Sequence, residues 1–311
     1  VTDRCDFRCA YCMDPDQRFA PRDAVLTLEE LRRVAGLFVD LGVRKVRLTG
    51  GEPLVRRNLT WLMRELGALP GLDELVITTN GSRLAAMAQE VRDAGVKRIN
   101  ISLDSLRPER FRAITRTGDL NLVLRGIDAA IAAGFERIKL NAVMMRNRNH
   151  DEVCDLVDFA VRKGINISFI EEMPIGRIGG HDRSEVFYSS AQIQADITAR
   201  FELIPTTETT GGPARYFRIP DTETRVGFIS PHSHNFCADC NRVRVTTEGR
   251  LLLCLGQEHS LDLREILRKE PDDDEPLRSA ILSAMQIKPE GHQFEPGGHS
   301  VTLRHMNLTG G

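Results

Sequence analysis

The chain has few aromatic residues, few cysteines and no excess of charge of either sign. Its 311 residues include one Trp, three Tyr and seven Cys, and its formal net charge is -2. Seven unevenly spread cysteines do not make the disulfide framework of a secreted scaffold. The balanced charge gives no support to a broad nucleic-acid or membrane-surface role, because such roles need clustered basic residues.

Long hydrophobic runs are also missing. No apolar stretch approaches the roughly 18 residues of a membrane span, and the N-terminus lacks the basic and then apolar order of a signal peptide. Hydrophobic residues make up 41% of the chain and charged residues 28%, which is enough to bury a large core. We therefore expect a soluble protein of the cytoplasm that binds neither nucleic acid nor membrane.

The first 170 or so residues alternate between helical and strand periodicity. Helical stretches at 28–41, 84–94, 122–133 and 153–163 each end at a glycine. Five strand-like runs alternate with helical segments: VRKVRLTG, ELVITTNG, RINISLD, IKLNAV and INISFIE. With one more strand near Val1 and Thr2, the pattern predicts six parallel strands, in either a doubly wound sheet or a barrel.

The alternation stops near residue 175. Short strand-like pieces follow, namely ARYFRIP, RVGFIS and RVRVTTEGRLLLC, together with an acidic stretch at 272–275. We predict a βα core over residues 1–175 and a smaller appended region over residues 176–311.

Polar and glycine residues recur where the predicted strands end. They are Cys5, Cys9 and Cys12, then Gly50 to Pro53, Thr78 to Gly81, Ser102, Asp104, Asn141 and Glu171 to Pro174. In both architectures the chemistry gathers at the carboxyl ends of the strands. The series therefore predicts one site at that edge.

Six of the seven cysteines form two groups of three. Cys5, Cys9 and Cys12 make C-x3-C-x2-C; Cys237, Cys240 and Cys254 make C-x2-C-x13-C. A 4Fe-4S cluster held by three thiolates keeps one iron open for a small molecule. The alternative is a closed zinc or structural iron–sulfur site, which His232, His234 or His259 could complete beside the second group.

The surroundings of the first cysteines resemble the radical S-adenosylmethionine superfamily. An aromatic residue, Tyr11, precedes the third cysteine, and G-G-E-P follows the next predicted strand. The second group, in N-F-C-A-D-C-N-R-V-R, and the terminal Gly310-Gly311 narrow the resemblance to the GTP 3',8-cyclases of molybdenum cofactor biosynthesis. The runs V-T-D-R-C, I-T-T-N-G and E-x-M-P extend it over nearly the whole chain.

The resemblance implies an α/β fold: an incomplete (βα)6 TIM-like barrel of parallel strands, with a smaller C-terminal α+β region closing the open side. It implies a lyase with two 4Fe-4S clusters that uses S-adenosyl-L-methionine. The 5'-deoxyadenosyl radical would remove the ribose 3' hydrogen of GTP, and the ribose radical would attack guanine C8. The product would be (8S)-3',8-cyclo-7,8-dihydroguanosine 5'-triphosphate.

The resemblance also implies roles for individual residues. Cys5, Cys9 and Cys12 would hold the cluster that binds S-adenosylmethionine, and Cys237, Cys240 and Cys254 a second cluster. Tyr11, Gly51, Ser102 and Met173 match positions that contact S-adenosylmethionine; Arg47, Thr78, Lys139, Arg242, Val243 and Arg244 match positions that contact GTP. Gly310 and Gly311 match a tail that enters the active site. Taken singly, Arg47 and Lys139 are ordinary strand-end charges, and Met173 an ordinary core residue.

The resemblance finally implies partners. They are a reductant of the flavodoxin or ferredoxin type and the cyclic pyranopterin monophosphate synthase that takes the product, with the chain itself a monomer or homodimer. One further nucleotide-contacting arginine of the family would lie before Val1. Two other functions stay open on the cysteine pattern: a radical peptide-modifying enzyme, and an iron–sulfur carrier without enzymatic activity.

Overall fold

A computed structural model describes residues 1–292, 294 and 302–310. The helices are α1 (Leu28–Asp40), α2 (Leu59–Gly67), α3 (Leu84–Asp93), α4 (Pro108–Thr115), α5 (Leu120–Ala132), α6 (Val153–Lys163), α7 (Arg183–Val186), α8 (Ser190–Thr198), α9 (Leu263–Lys269), α10 (Glu275–Gln286) and α11 (Met306–Thr309). The strands are β1 (Lys45–Leu48), β2 (Glu74–Thr79), β3 (Arg98–Ser102), β4 (Arg137–Met144), β5 (Asn166–Glu171), β6 (Ile204–Pro205), β7 (Arg215–Arg218), β8 (Arg225–Ile229), β9 (Arg244–Val245), β10 (Arg250–Leu252) and β11 (Ser260–Asp262).

One sheet organises the molecule, with strand order β1-β2-β3-β4-β5-β8-β7-β6. Strands β1 to β5 and β8 pair with one another in parallel, whereas β7 pairs antiparallel with both β8 and β6. The sheet does not close on itself, so the predicted incomplete barrel is confirmed. Because β8 joins the same sheet from beyond residue 175, the division into two domains stays a prediction.

The N-terminal strand is shorter than the sequence pattern suggests. Thr2 makes a single parallel bridge to Gly50, and the amide of Gly51 donates to Thr2 O at 2.7 Å. The chain then turns at once into the cysteine loop. The sixth parallel strand is therefore β8, which comes from the C-terminal region.

Side chains alternate along the parallel strands in an order that leaves one face polar. Ile77 and Ile99 are register partners that pack with α2, α3 and α5 in the main core. Between such residues, Thr78, Asn100 and Lys139 form a row of register partners on the opposite face. Since successive side chains point to opposite faces, the inner surface of the barrel is polar and suits a polar ligand.

The C-terminal region packs against both edges of this sheet. On one side β6, β7 and β8 extend it beyond β5. On the other side a second sheet, in the order β11-β10-β9, and helices α9 and α10 share a buried cluster with α1, in which Leu37 packs with Leu251 and Leu263. Within the described ranges, no helix is both long and apolar enough to cross a membrane.

Candidate active site

The first cysteine loop lies directly after the bridge at Thr2. Its backbone is tied to the end of α4, since the amide of Arg8 donates to Thr115 O at 2.9 Å and that of Ala10 to Ile114 O at 2.8 Å. Cys5, Cys9 and Cys12 are all partly buried. The thiols therefore sit on a braced loop at the carboxyl edge of the sheet.

Burial raises the pKa of all three thiols, to about 12 for Cys5 and Cys12 and well above its ordinary value for Cys9. The neighbouring thiolates add to this, because Cys12 and Cys5 both raise the pKa of Cys9. Thiolates at such a place need a bound cation to stabilise them. Three converging thiols of this kind fit an iron–sulfur cluster.

The G-G-E-P loop braces the start of the cysteine loop. A Cβ on Gly51 would lie 2.4 Å from Arg4 O, so only glycine allows this approach. The fully buried carboxylate of Glu52 accepts hydrogen bonds from the amides of Leu54 and Asn80 and from the hydroxyl of Thr79. Burial raises the pKa of Glu52 to about 7. Glu52 thus caps the short turn that begins at Pro53, as expected of a capping carboxylate. It also holds the end of β2 through Thr79 and Asn80.

Tyr11 is anchored by a buried carboxylate. Its hydroxyl donates to Asp104 at 2.8 Å, and Asp104 also accepts from the amide of Val143 at 2.8 Å. Burial raises the pKa of Asp104 to about 6. Ser102 lies two residues earlier, at the end of β3, in register with Asn141 of β4. Tyr11 and Ser102 therefore share the edge that carries the first cysteines.

The second cysteine group lines a cavity that several predicted residues share. The cavity wall includes Cys237, Cys240, Cys254, Arg242, Val243, Arg244, Met173, Phe236 and His292. Burial alone would raise the pKa of Cys240, but the amide and guanidinium of Arg242 lower it below its ordinary value. This arginine approaches the Cys240 sulfur at 3.8 Å. The arrangement fits a thiolate ligand beside a nucleotide-binding cation.

Over the described residues, no three Cys, His, Asp or Glu groups come together closely enough to hold one metal ion. His232, which could have completed a zinc site, instead places Nε2 at 2.9 Å from Glu172 O. A cubane cluster is bound through separate irons, so its thiolates stand further apart than the ligands of a single ion. The donor set fits clusters better than zinc.

Four predicted nucleotide contacts are cations around the polar inner face. The guanidinium of Arg47 donates to Thr78 Oγ1 at 2.9 Å. Burial and the charge of Arg98 lower the pKa of Arg47 to about 10, and burial and the charge of Arg242 do the same for Arg244. The Arg47 side chain is exposed to solvent, so its guanidinium is accessible to a ligand.

These four cations share one property. In the part of the chain that the structure describes, Arg47, Lys139, Arg242 and Arg244 form no salt bridge. Glu74, the carboxylate that raises the pKa of Arg47, is already paired with Lys45 and Arg98. Burial, and the repulsion of Arg47, also lower the pKa of Lys139. Such a concentration of unpaired positive charge suits a polyanion.

The C-terminal tail returns to the first cysteine loop. Met306 donates its amide to Cys12 O at 3.2 Å, and the Asn307 side chain donates to Asp3 O at 3.0 Å. Gly310 has φ 76°, and a Cβ on it would lie 2.2 Å from Thr49 Cγ2. Gly310 therefore lies where no larger side chain fits, and the entry of the tail into the active site stays a prediction. Gly311 lies outside the described residues.

One inward-facing residue was missed by the sequence reasoning. Tyr216 of β7 is buried and places its hydroxyl 3.5 Å from Lys139 Nζ. No motif marks this tyrosine. The available signal was Gly227 in the run RVGFIS, since a glycine inside a strand often marks the close approach of a neighbour.

Known proteins of similar sequence identify the family of this chain. A family model described as "Radical SAM superfamily" matches residues 1–160, and one described as "Molybdenum Cofactor Synthesis C" matches residues 165–294. The chain is 60% identical over 312 residues to the GTP 3',8-cyclase of Pseudomonas entomophila, covering 100% of this chain and 93% of that protein. It is 61% identical over 312 residues to GTP 3',8-cyclase 1 of Pseudomonas aeruginosa, covering 100% and 94%.

A solved structure supports the fold independently. The Streptococcus suis protein SuiB, crystallised with S-adenosylmethionine, superposes with a TM-score of 0.62 over 96% of this chain and 75% of that chain. Its identity is 16%, so this similarity concerns the fold alone. Together, the matched family models and the full-length relatives confirm the resemblance read from the motifs. The chain belongs to the GTP 3',8-cyclase family of the radical S-adenosylmethionine superfamily.

Proposed function

We propose that the chain converts GTP to 3',8-cyclo-7,8-dihydro-GTP, the first step of molybdenum cofactor biosynthesis. One observation carries the proposal: four cations without carboxylate partners among the described residues lie close enough to lower one another's pKa, and two of them, Arg242 and Arg244, line the cavity of the second cysteine group. An iron–sulfur carrier has no use for this arrangement. A nucleoside triphosphate would supply the negative charge that these cations lack.

The polyanion would be bound from two sides of the cavity. Arg47 and Lys139 approach from β1 and β4 of the barrel, and Arg242 and Arg244 from the C-terminal region. Arginine binds phosphate through a planar fork of donors, and lysine as a compact charge. The hydroxyl of Thr78, held by Arg47 at 2.9 Å, offers a further polar contact. We assign these residues and Val243 to GTP.

The two cysteine groups would each hold a 4Fe-4S cluster. We assign Cys5, Cys9 and Cys12 to the cluster that binds S-adenosylmethionine, and Cys237, Cys240 and Cys254 to a second one that faces the guanine. When bound, the first cluster and S-adenosylmethionine supply the radical that removes the 3' hydrogen of the ribose. The chain itself binds, orients and shields the reactants.

Four residues are assigned to S-adenosylmethionine. Tyr11, fixed by Asp104, and Ser102 lie at the carboxyl edge of the sheet, and Gly51 lies where the G-G-E-P loop meets the cysteine loop. Met173 lines the cavity of the second cysteine group. Met173 also lies two residues past the carboxyl end of β5, so it could contact a ligand held at that edge of the sheet.

The wider assignments complete the proposal. The reductant is of the flavodoxin or ferredoxin type, and the product passes to cyclic pyranopterin monophosphate synthase. We place the reaction in the cytoplasm, where thiols stay reduced. The enzyme acts as a monomer or homodimer.

The test is an anaerobic incubation of reconstituted enzyme with S-adenosylmethionine, a reductant and GTP. We expect cyclised nucleotide together with 5'-deoxyadenosine. Formation of 5'-deoxyadenosine only when a peptide is added would instead identify a peptide-modifying enzyme. The absence of both products from cluster-loaded protein would contradict the proposal.

A further inference from the structure

The placement of Tyr216 depends on a glycine in the neighbouring strand. Tyr216 of β7 is the register partner of Gly227 in β8. A Cβ on Gly227 would lie 2.9 Å from Tyr216 Cε1 and 2.5 Å from Ser168 Oγ. The bare backbone at Gly227 thus lets the tyrosine ring lie across β8, toward the inner face of the barrel.

The hydroxyl of Tyr216 reaches the cation of β4. It lies 3.5 Å from Lys139 Nζ and 3.3 Å from Thr210 Oγ1. The ammonium also lies 6.0 Å from the centre of the tyrosine ring. Tyr216 is 5% exposed and Lys139 9%. Among the described residues, Lys139 has no carboxylate partner, and its hydrogen-bond partner is the hydroxyl of Tyr216.

The charges around this pair support a close interaction. Burial alone would raise the pKa of Tyr216, but the Lys139 ammonium and hydrogen bonds lower it below its ordinary value. Burial lowers the pKa of Lys139, and Tyr216 opposes that change. Two residues beyond Lys139, on the same strand face, Asn141 Oδ1 is buried without a hydrogen-bond partner. Polar groups without full partners therefore continue along this wall.

We infer that Tyr216 is a positioning residue for the phosphate end of the substrate, acting through Lys139. Its hydroxyl accepts from the ammonium and holds it on the inner face of the barrel, and its own O–H donates to Thr210, which fixes the direction of the hydroxyl. The antiparallel hairpin of β7 and β8 thereby contributes to a site otherwise built from parallel strands and the second cysteine region. This inference rests on the proposed function, because it takes the polyanion to be a nucleoside triphosphate.

The test is removal of the hydroxyl alone, by Tyr216→Phe, in anaerobically reconstituted enzyme. Equilibrium dialysis would measure the Kd of GTP, guanosine and inorganic triphosphate. One hydrogen bond to a charged group corresponds to about tenfold or more in affinity. We expect the Kd of GTP and of triphosphate to rise about tenfold and that of guanosine to stay unchanged. The KM for GTP should rise similarly, while kcat stays within about twofold.

A matched control and a second variant separate positioning from structure. Tyr188→Phe also deletes a hydroxyl, one bonded to Asp196 outside the cavity, and should leave all three affinities unchanged. Thr210→Val, at a half-exposed position, removes the partner that orients Tyr216 without disturbing the core. It should raise the Kd of GTP about threefold.

Three outcomes would decide the matter. A Kd for GTP equal to the parent value in both Tyr216→Phe and Thr210→Val would overturn the inference, and so would an equal loss of guanosine and GTP binding in Tyr216→Phe. If the parent enzyme forms no cyclised nucleotide, the proposed function fails. Binding of inorganic triphosphate would still decide the role of Tyr216.

Discussion

The unpaired charge of Arg47 should strengthen GTP binding and at the same time lower the stability of the ligand-free protein. Replacement of Arg47 by Met keeps much of the side-chain volume and removes the charge. Arg47 has Thr78 as its hydrogen-bond partner and no salt bridge among the described residues. The account predicts that Arg47→Met weakens GTP binding and leaves the ligand-free protein as stable as the parent, or more so.

The size of both effects follows from the site. A hydrogen bond to a charged group contributes about 1.5–3 kcal/mol, so the Kd of GTP should rise about tenfold to a hundredfold. A pKa lowered to about 10 corresponds to at most about 3 kcal/mol of destabilisation by the charge. Because Arg47 meets solvent in the cavity, screening reduces this to about 1 kcal/mol. The folded-state pKa lies below the unfolded-state value, so the penalty is present at neutral pH and fades only above about pH 10.

The assay pairs equilibrium dialysis of GTP with urea unfolding of the ligand-free protein. Arg98→Met is the matched control, because Arg98 of β3 lies in the same register row as Arg47, across Val76 of β2, but forms a salt bridge with Glu74 at 2.9 Å. Breaking this half-buried pair should destabilise the fold by about 1–3 kcal/mol. If Arg47→Met destabilises the protein as much as Arg98→Met, or binds GTP like the parent, the reasoning about unpaired cations is refuted.

Three further predictions concern the clusters and the tail. Anaerobic reconstitution should load roughly eight irons per chain, and Cys237→Ser with Cys240→Ser should leave about half; stoichiometric zinc with a single cluster would contradict this. Cys9→Ala should abolish reductive cleavage of S-adenosylmethionine, whereas Arg242→Ala with Arg244→Ala should retain cleavage and lose cyclisation; cyclisation at the parent rate in the arginine variant would disprove the nucleotide assignment. Deletion of Gly310 and Gly311 should lower single-turnover cyclisation strongly while iron content and Tm stay nearly unchanged; equal product yields would show the tail to be dispensable.

The strand and helix pattern of the core could be predicted because its periodicities are local. Val153–Lys163 forms a helix with the predicted bounds; β2, β3 and β5 lie inside the predicted runs, and β4 extends one residue beyond its run at each end. Each of these strands carries buried apolar side chains at alternate positions, and the helix carries them at helical spacing, as the sequence displays directly. Helices α2 and α4 were not singled out, because their apolar faces are short.

The order of the sheet could not be predicted in the same way. Thr2 makes one bridge in place of a strand, and the sixth parallel position is taken by Arg225–Ile229. Which strand pairs with β5 depends on packing between segments that are distant in sequence. For the same reason Tyr216 was missed: its role follows from register with Gly227 and not from any motif.

In the candidate site too, local motifs could be predicted from the sequence, whereas contacts between distant segments could not. The cysteines and G-G-E-P were visible as spaced motifs, and the resemblance to a family supplied the remaining positions. The structure adds how they are held, such as Asp104 behind Tyr11 and Glu52 bonded to the end of β2. It also places Met173 beside the second cysteine group. Such contacts join separate strands and leave no local trace in the sequence.

The most direct test of the central claim is transfer of the ribose 3' hydrogen of GTP to 5'-deoxyadenosine. GTP deuterated at the 3' position would be incubated with reconstituted, reduced enzyme and S-adenosylmethionine, and both products analysed by mass spectrometry after one turnover. The account predicts singly deuterated 5'-deoxyadenosine in an amount equal to the cyclised nucleotide, which has lost the label. Unlabelled 5'-deoxyadenosine with GTP unchanged would contradict it.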